Sequence, residues 1–254
     1  MAIVKANTNR QSLIFISLVE RTNKHMSDAE IAKNPEAKVP GFLYKNAEGK
    51  HELARQLSGS VVSVKVGTDK YEPVGQPAVE YPIATVRLTD GESVKIRLDQ
   101  NLGRTVIGLL AANALSHGDG PVDIYVSHVR AGDRIGNGEP FDRDRSFISV
   151  KPEGAPNNMK FAPIYAGEDG QIMVDAEGKP AGLPKAKVVR FQGKDQLDWE
   201  EINNIAVWTA AGLESFYKDK DSHAHTSTQA PDVHDQQNDG IDLNEAAAAA
   251  APRG

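Results

Sequence analysis

The sequence predicts a mainly β protein: a five-stranded barrel with one inserted helix, an N-terminal β extension, C-terminal strands plus a helix, and a disordered acidic tail. Three observations predict it. Short runs of alternating apolar and polar residues recur between Gly59 and Lys151, the mark of strands with one buried face. One run in that region switches to helical spacing, between the third and fourth strand patterns. Beyond Lys218 large apolar residues nearly vanish, so the chain there buries too little surface to offset the entropy of ordering it. The resulting units are 1–58, the extension with a strand and a hairpin; 59–158, the barrel core; 159–218, strands and a helix packed on the core; and 219–254, the tail.

Leu13 to Val19 reads as a buried strand. It is too short for a membrane span, which needs roughly 18 apolar residues, and no small-residue cleavage site follows it as in a signal peptide. Ser27 and Glu30 have capping-box spacing and start a short helix before Pro35. Gly41 to Lys45 and Lys50 to Leu53 flank the turn Asn46-Ala47-Glu48-Gly49 as a hairpin. In the core, Val62, Val64 and Val66 form the first inward set, and a loop runs from Thr68 to Val79. Ala84, Val86 and Leu88 form the second set and Val94, Ile96 and Leu98 the third, joined by a turn containing Asp90-Gly91. Leu102, Val106, Leu109, Leu110 and Asn113 follow helical spacing, with Asp99 or Asn101 as the cap and Gly118 past the end. Val122, Ile124 and Val126, then Ile148 and Val150, complete the barrel around a Gly- and Arg-rich loop from Arg130 to Arg145. Further on, Phe161 to Tyr165, Gln171 to Val174 and Lys187 to Phe191 read as short strands. Asp198 opens a helix on which Trp199, Ile202, Ile205, Ala206, Thr209, Leu213 and Phe216 recur.

The 254 residues include no cysteine, which removes disulfides, thiolate metal sites and a Cys nucleophile and fits a reducing, cytoplasmic setting. The net charge is −6, a poor sign for a polyanion partner unless its distribution is uneven. It is uneven: residues 219–254 carry −5 and residues 1–218 only −1.

The solvent-side positions of the five strands are Ser63, Lys65, Thr85, Arg87, Ser93, Lys95, Arg97, Asp123, Tyr125, Ser127, Phe147, Ser149 and Lys151. Five are basic, two aromatic and one acidic. Cations neutralise phosphates, and aromatic faces stack on bases at roughly 1–3 kcal/mol each. The flanking loops add Lys70, Tyr71, Arg130, Arg134, Phe141, Arg143 and Arg145. A blander account stands beside this one: exposed strands ordinarily carry charge, Arg143 and Arg145 can pair with Asp142 and Asp144, and Tyr125 and Phe147 can pack beneath the N-terminal strand.

The order strand, long loop, hairpin pair, helix, strand, loop, strand resembles that of OB-fold single-stranded DNA-binding proteins, in particular the divergent bacteriophage type with extensions and an acidic tail. The resemblance covers about residues 59–151 and the tail. It implies sequence-independent single-stranded DNA binding and protection in phage or plasmid replication and recombination, no cofactor, and replication proteins as partners of the tail. A homo-oligomer is compatible with it. No phosphate-binding Gly-Lys-Ser/Thr loop, Gly-x-Ser-x-Gly elbow or His-Glu-x-x-His pair occurs, so a non-enzymatic protein is expected. His117, Asp119 and Asp123 match no established metal-ligand spacing and read as a turn. A virion structural or assembly protein with a β-barrel core is the alternative.

Overall fold

Strand β4, Gln56–Tyr71, is the spine of the molecule. The computed structural model describes residues 14–19, 40–46, 48–72, 75, 77–89, 91–134, 138–143, 145–156, 159 and 161–224, with backbone only for 14, 15 and 219–224. The first half of β4 pairs with β7 (Pro121–Val129) and the second half with β5 (Val79–Leu88). A bulge at Val62 interrupts the start of the β5 ladder, between Val61 opposite Leu88 and Ser63 opposite Arg87. Val61 and Val64 therefore both point inward and are buried, whereas Val62 is the extra residue that lets the strand bend. That corrects the expected inward triplet of Val62, Val64 and Val66. The strand also begins before Gly59 and continues past Thr68, so the ends of the expected loop belong to a two-stranded arm, with Lys70 opposite Glu80 and Tyr71 opposite Val79.

Alternation elsewhere folds as the residues dictate. β6 (Glu92–Arg97) and β8 (Arg145–Pro152) join the sheet, while β1 (Ile14–Val19), β2 (Gly41–Lys45) and β3 (His51–Ala54) form a meander at its other end. The order is β3-β2-β1-β6-β5-β4-β7-β8. This is a curled open sheet, a half-barrel, and not the closed five-stranded barrel that was expected. The reason lies in β1. Its Ile16, Leu18 and Val19 are almost fully buried, and it takes the edge of β6 in parallel, Ile16 opposite Val94. The edge that would have closed a barrel is thereby occupied, and β8 stays beside β7, at the far end of the order.

Helix α1 (Asn101–His117) fills the concave side. Its apolar residues go beyond one stripe: Leu102, Val106, Ile107, Leu109, Leu110, Ala112 and Ala114 are all buried, as befits a helix covered on several sides. Neither Asp99 nor Asn101 caps it; Gln100 is the N-cap residue, without a side-chain cap bond, and Asp99 is engaged by Arg97. Gly118 ends it at φ 70°, its N–H donating to Ala114 O, a conformation in which a side chain would be strained. Helix α2 (Glu200–Ala224) packs on β4, β5 and α1. Ile202, Ile205, Ala206, Thr209, Leu213 and Tyr217 face the core, whereas Trp199 is largely exposed and Phe216 half-buried. Asp198 Oδ1 accepts the Glu200 N–H at 2.9 Å, and the helix runs six residues past the expected boundary at 218. The expected helix after Ser27 and residues 225–254 of the expected tail lie outside the described residues.

Beyond the bulge, the edge of β4 that faces away from β5 has no strand neighbour among the described residues, and α2 packs against it. Glu214 Oε2 accepts the Val66 N–H at 3.0 Å. Arg104, buried on α1, reaches Asn203 Oδ1 on α2 at 2.8 Å and lies 5.0 Å from the Trp199 ring. Between the helices, the expected strands at 161–165 and 171–174 reduce to two isolated antiparallel bridges, Ala166 to Ile172 and Val174 to Pro180. Lys187–Phe191 is β9, pairing with Lys194–Asp198 (β10) in a separate two-stranded sheet. No helix among the described residues is long and apolar enough to cross a membrane.

Burial pushes the hydroxyls of Tyr165 and Tyr217 up to about 12 from an ordinary 10.0. The folded state thus favours the neutral phenol, and the stability these two contribute is complete below pH 10 and lost as pH rises from 10 to about 12. An alkaline titration of tyrosinate absorbance should show both rings ionising together with loss of near-ultraviolet dichroism. Ionisation ahead of unfolding would contradict their burial.

Candidate nucleic-acid interface

Residues opposite each other across paired strands share a face, and the registers lay out the convex side in rows. Ser63, Arg87 and Ser93 form one row; Lys65, Thr85 and Lys95 the next; Gly67, Ile83 and Arg97 a third; Asp69 and Tyr81 a fourth. The bulge keeps Ser58 and Ser60 on the same side as Ser63, so the β7–β8 end presents the same face. Lys65 and Arg87 are exposed in the middle of this surface, and neither pairs with a described acid.

The neighbouring cations are held. Lys95 Nζ lies 2.7 Å from Asp69 Oδ2, and Tyr81 donates its hydroxyl to the same oxygen at 3.2 Å. Arg97 Nε reaches Asp99 Oδ1 at 2.9 Å, and its guanidinium carbon sits 3.8 Å above the Tyr81 ring. The hydrogen bond from Lys95 holds the Asp69 carboxyl below the usual carboxylate range, helped by the Lys70 N–H. Burial, and then the charge of Asp69, raises Tyr81 above an ordinary phenol. The convex face therefore holds more acid than the expected single Asp123, because β4 extends through Asp69. Lys70 and Tyr71 lie exposed at the end of that arm, Lys70 paired with Glu72 at 2.8 Å.

A second cluster forms at β7–β8. Phe141 and Phe147 meet edge to face at 6.0 Å, and Arg145 lies 5.5 Å from the Phe141 ring while pairing with Asp142 at 2.9 Å. Phe147 is 39% exposed. Arg130, Arg134 and Arg143 are exposed between β7 and β8, where the Phe141 N–H donates to Asp133 O at 3.0 Å. β1 lies four strands from β7 in the sheet order, so it does not cover Tyr125 or Phe147.

Two expected contacts are placed differently. Lys151 is buried, its ammonium donating to Ala155 O at 3.1 Å and lying 4.9 Å from the Tyr125 ring. Asp123 is buried beside it and accepts from Ser58, from Gln56 at 3.2 Å and from the Gly154 N–H at 3.4 Å. Burial raises Tyr125 above its ordinary value. These three side chains form a structural knot that the turn at 152–155 closes, and Lys151 is out of reach of a ligand on the convex face. Tyr81, by contrast, was missed. Its signal was present, since Tyr81 and Ile83 continue outward the alternation of Thr85 and Arg87.

Fold and site together define a mainly β protein whose curled open sheet carries cations and aromatic rings on its convex face. Comparison with protein families, with curated proteins and with solved structures finds no match.

Because Asp69 competes with any anion for Lys95, Asp69→Asn should tighten phosphate binding about two- to five-fold, the scale of an exposed ion pair. Filter binding of an oligonucleotide by the two proteins measures it; weaker binding by the variant would mean that Asp69 supports the site instead of shielding it.

Proposed function

We propose that this protein binds single-stranded DNA without reading its sequence, along the convex face, and protects it during replication or recombination. The observation that carries this reading is the joining of two cation and aromatic clusters on one side of one sheet: Lys65 and Arg87 with Arg97 over Tyr81, and Arg145 with Phe141 and Phe147. Flexible single strands suit such a surface, since phosphates track the cations while each base offers a ring face to an aromatic side chain. The element order from β4 to β8 supports kinship with OB-folds, with β1 standing in the barrel's closing position. The acids between 232 and 245 serve to recruit basic replication partners.

Fluorescence anisotropy of labelled poly-dT and of the matching duplex, across a salt series, tests the reading. Poly-dT binding should prevail and weaken linearly in log salt, with a slope of about 0.7 per neutralised phosphate. Absence of poly-dT binding at low salt, or tighter binding of the duplex, overturns it.

A further inference from the structure

The β9–β10 hairpin stands apart from the core. Every residue of β9 is exposed, as is every residue of β10 but Asp198, and Val188 and Leu197 are 67% and 56% exposed. Cross-strand registers put Val188 beside Leu197 and Arg190 beside Asp195 on one face, and Val189 and Phe191 on the other. Both faces thus show apolar side chains to solvent, and both outer edges lack a strand neighbour among the described residues. An isolated two-stranded hairpin is marginal in water, and a third or fourth strand stabilises it. An unprotected edge is also a template for pairing. The hairpin is nonetheless set firmly at its base, where Lys187 meets Glu201 at 2.6 Å and Asp198 caps α2.

We infer that the β10 edge docks against the β10 edge of a second copy of this chain, joining two hairpins into a four-stranded antiparallel sheet. Charge complementarity singles out this edge. A two-fold axis at Gln196 places each Lys194 opposite the other copy's Asp198, twice per dimer, and each Leu197 opposite the other copy's Asp195 and diagonal to its Leu197, on the face that also carries Val188 and Arg190. The same operation on β9 about Val189 sets Lys187 against Phe191 and Val188 against Arg190, with no opposite charges matched. A self-complementary patch of this kind is what a two-fold dimer requires. A five-residue edge is small, so the dimer belongs to the weak, concentration-dependent class.

Sedimentation velocity of the full chain over a concentration series, from micromolar upward, tests this with two charge variants. Lys194→Glu places acid opposite acid in its homodimer, and Asp198→Lys places base opposite base. Each alone should sediment as a monomer where the wild type dimerises. Mixed in equal amounts, they should recover the dimer, because both cross-pairs are then of opposite sign. Thermal melts confirm that each variant is folded, and the mixture controls for the lost cap at Asp198, which mixing does not restore. A monomeric wild type, variants that dimerise like the wild type, or a mixture that stays monomeric would each overturn the proposal. So would an unchanged dimer in Leu197→Asp, which would assign the hairpin to a different occupant.

Discussion

Gly103→Ala should cost about 3 kcal/mol or more, beyond ordinary overpacking of a core. Gly103 lies in the first turn of α1, directly against the end of β6. A Cβ there would stand 1.9 Å from Arg97 O, 2.9 Å from Arg97 C and 3.1 Å from Ile96 Cγ2. Two of those atoms are backbone, so no rotamer change relieves the contact; either α1 or the end of β6 has to move. Chemical denaturation should show a lowered midpoint at unchanged slope. Gly212→Ala is the opposite case. Gly212 sits within α2 with nothing within 4 Å of the added carbon, so the better helix former should stabilise by about 0.5–1 kcal/mol. Equal effects of the two substitutions would mean that α1 does not press on β6 as described.

Replacing Lys65 and Arg87 together by Ala should lower poly-dT affinity at least about tenfold at low salt and reduce the salt slope by about 1.4, two phosphates at 0.7 each. These two carry the prediction because they are exposed and meet no described acid, whereas Lys95 and Arg97 already have Asp69 and Asp99. Tyr81→Ala, which removes the ring beneath Arg97 and the hydroxyl on Asp69, should lower poly-dT affinity further. An unchanged slope in the double variant would place the strand on some other surface, even if wild-type binding is strong.

Local pattern made part of this molecule legible. β5 to β8 and both helices could be read because each carries a period of two or of 3.6 in its own residues, as in Val94, Ile96 and Leu98 or in Ile202, Ile205 and Ala206. The start of β4 was not readable, since Gln56, Ser58, Gly59 and Ser60 lack apolar alternation and are held by pairing to β7. Its far end failed for the same reason at Thr68, Asp69 and Lys70, and with it went the acid that holds Lys95. The placement of β1 beside β6 has no local signature, because a parallel pairing between distant segments leaves no mark in either one. The burial of Lys151 depends on a carbonyl four residues on, at Ala155, presented by a turn. Patterns of residues named the convex face; only the three-dimensional registers showed which of its cations are available.

The pairing of β1 with β6 also sets a timetable for synthesis. Ile14 pairs with Glu92, 78 residues later (92 less 14). At roughly 5–20 residues per second, the most apolar strand of the extension spends about 4–16 s out of the ribosome before its partner has been made. During that interval Ile16, Leu18 and Val19 have only the β2–β3 meander for shelter, so a pause in translation ahead of Glu92 lengthens the period in which a nascent chain can associate with its neighbours.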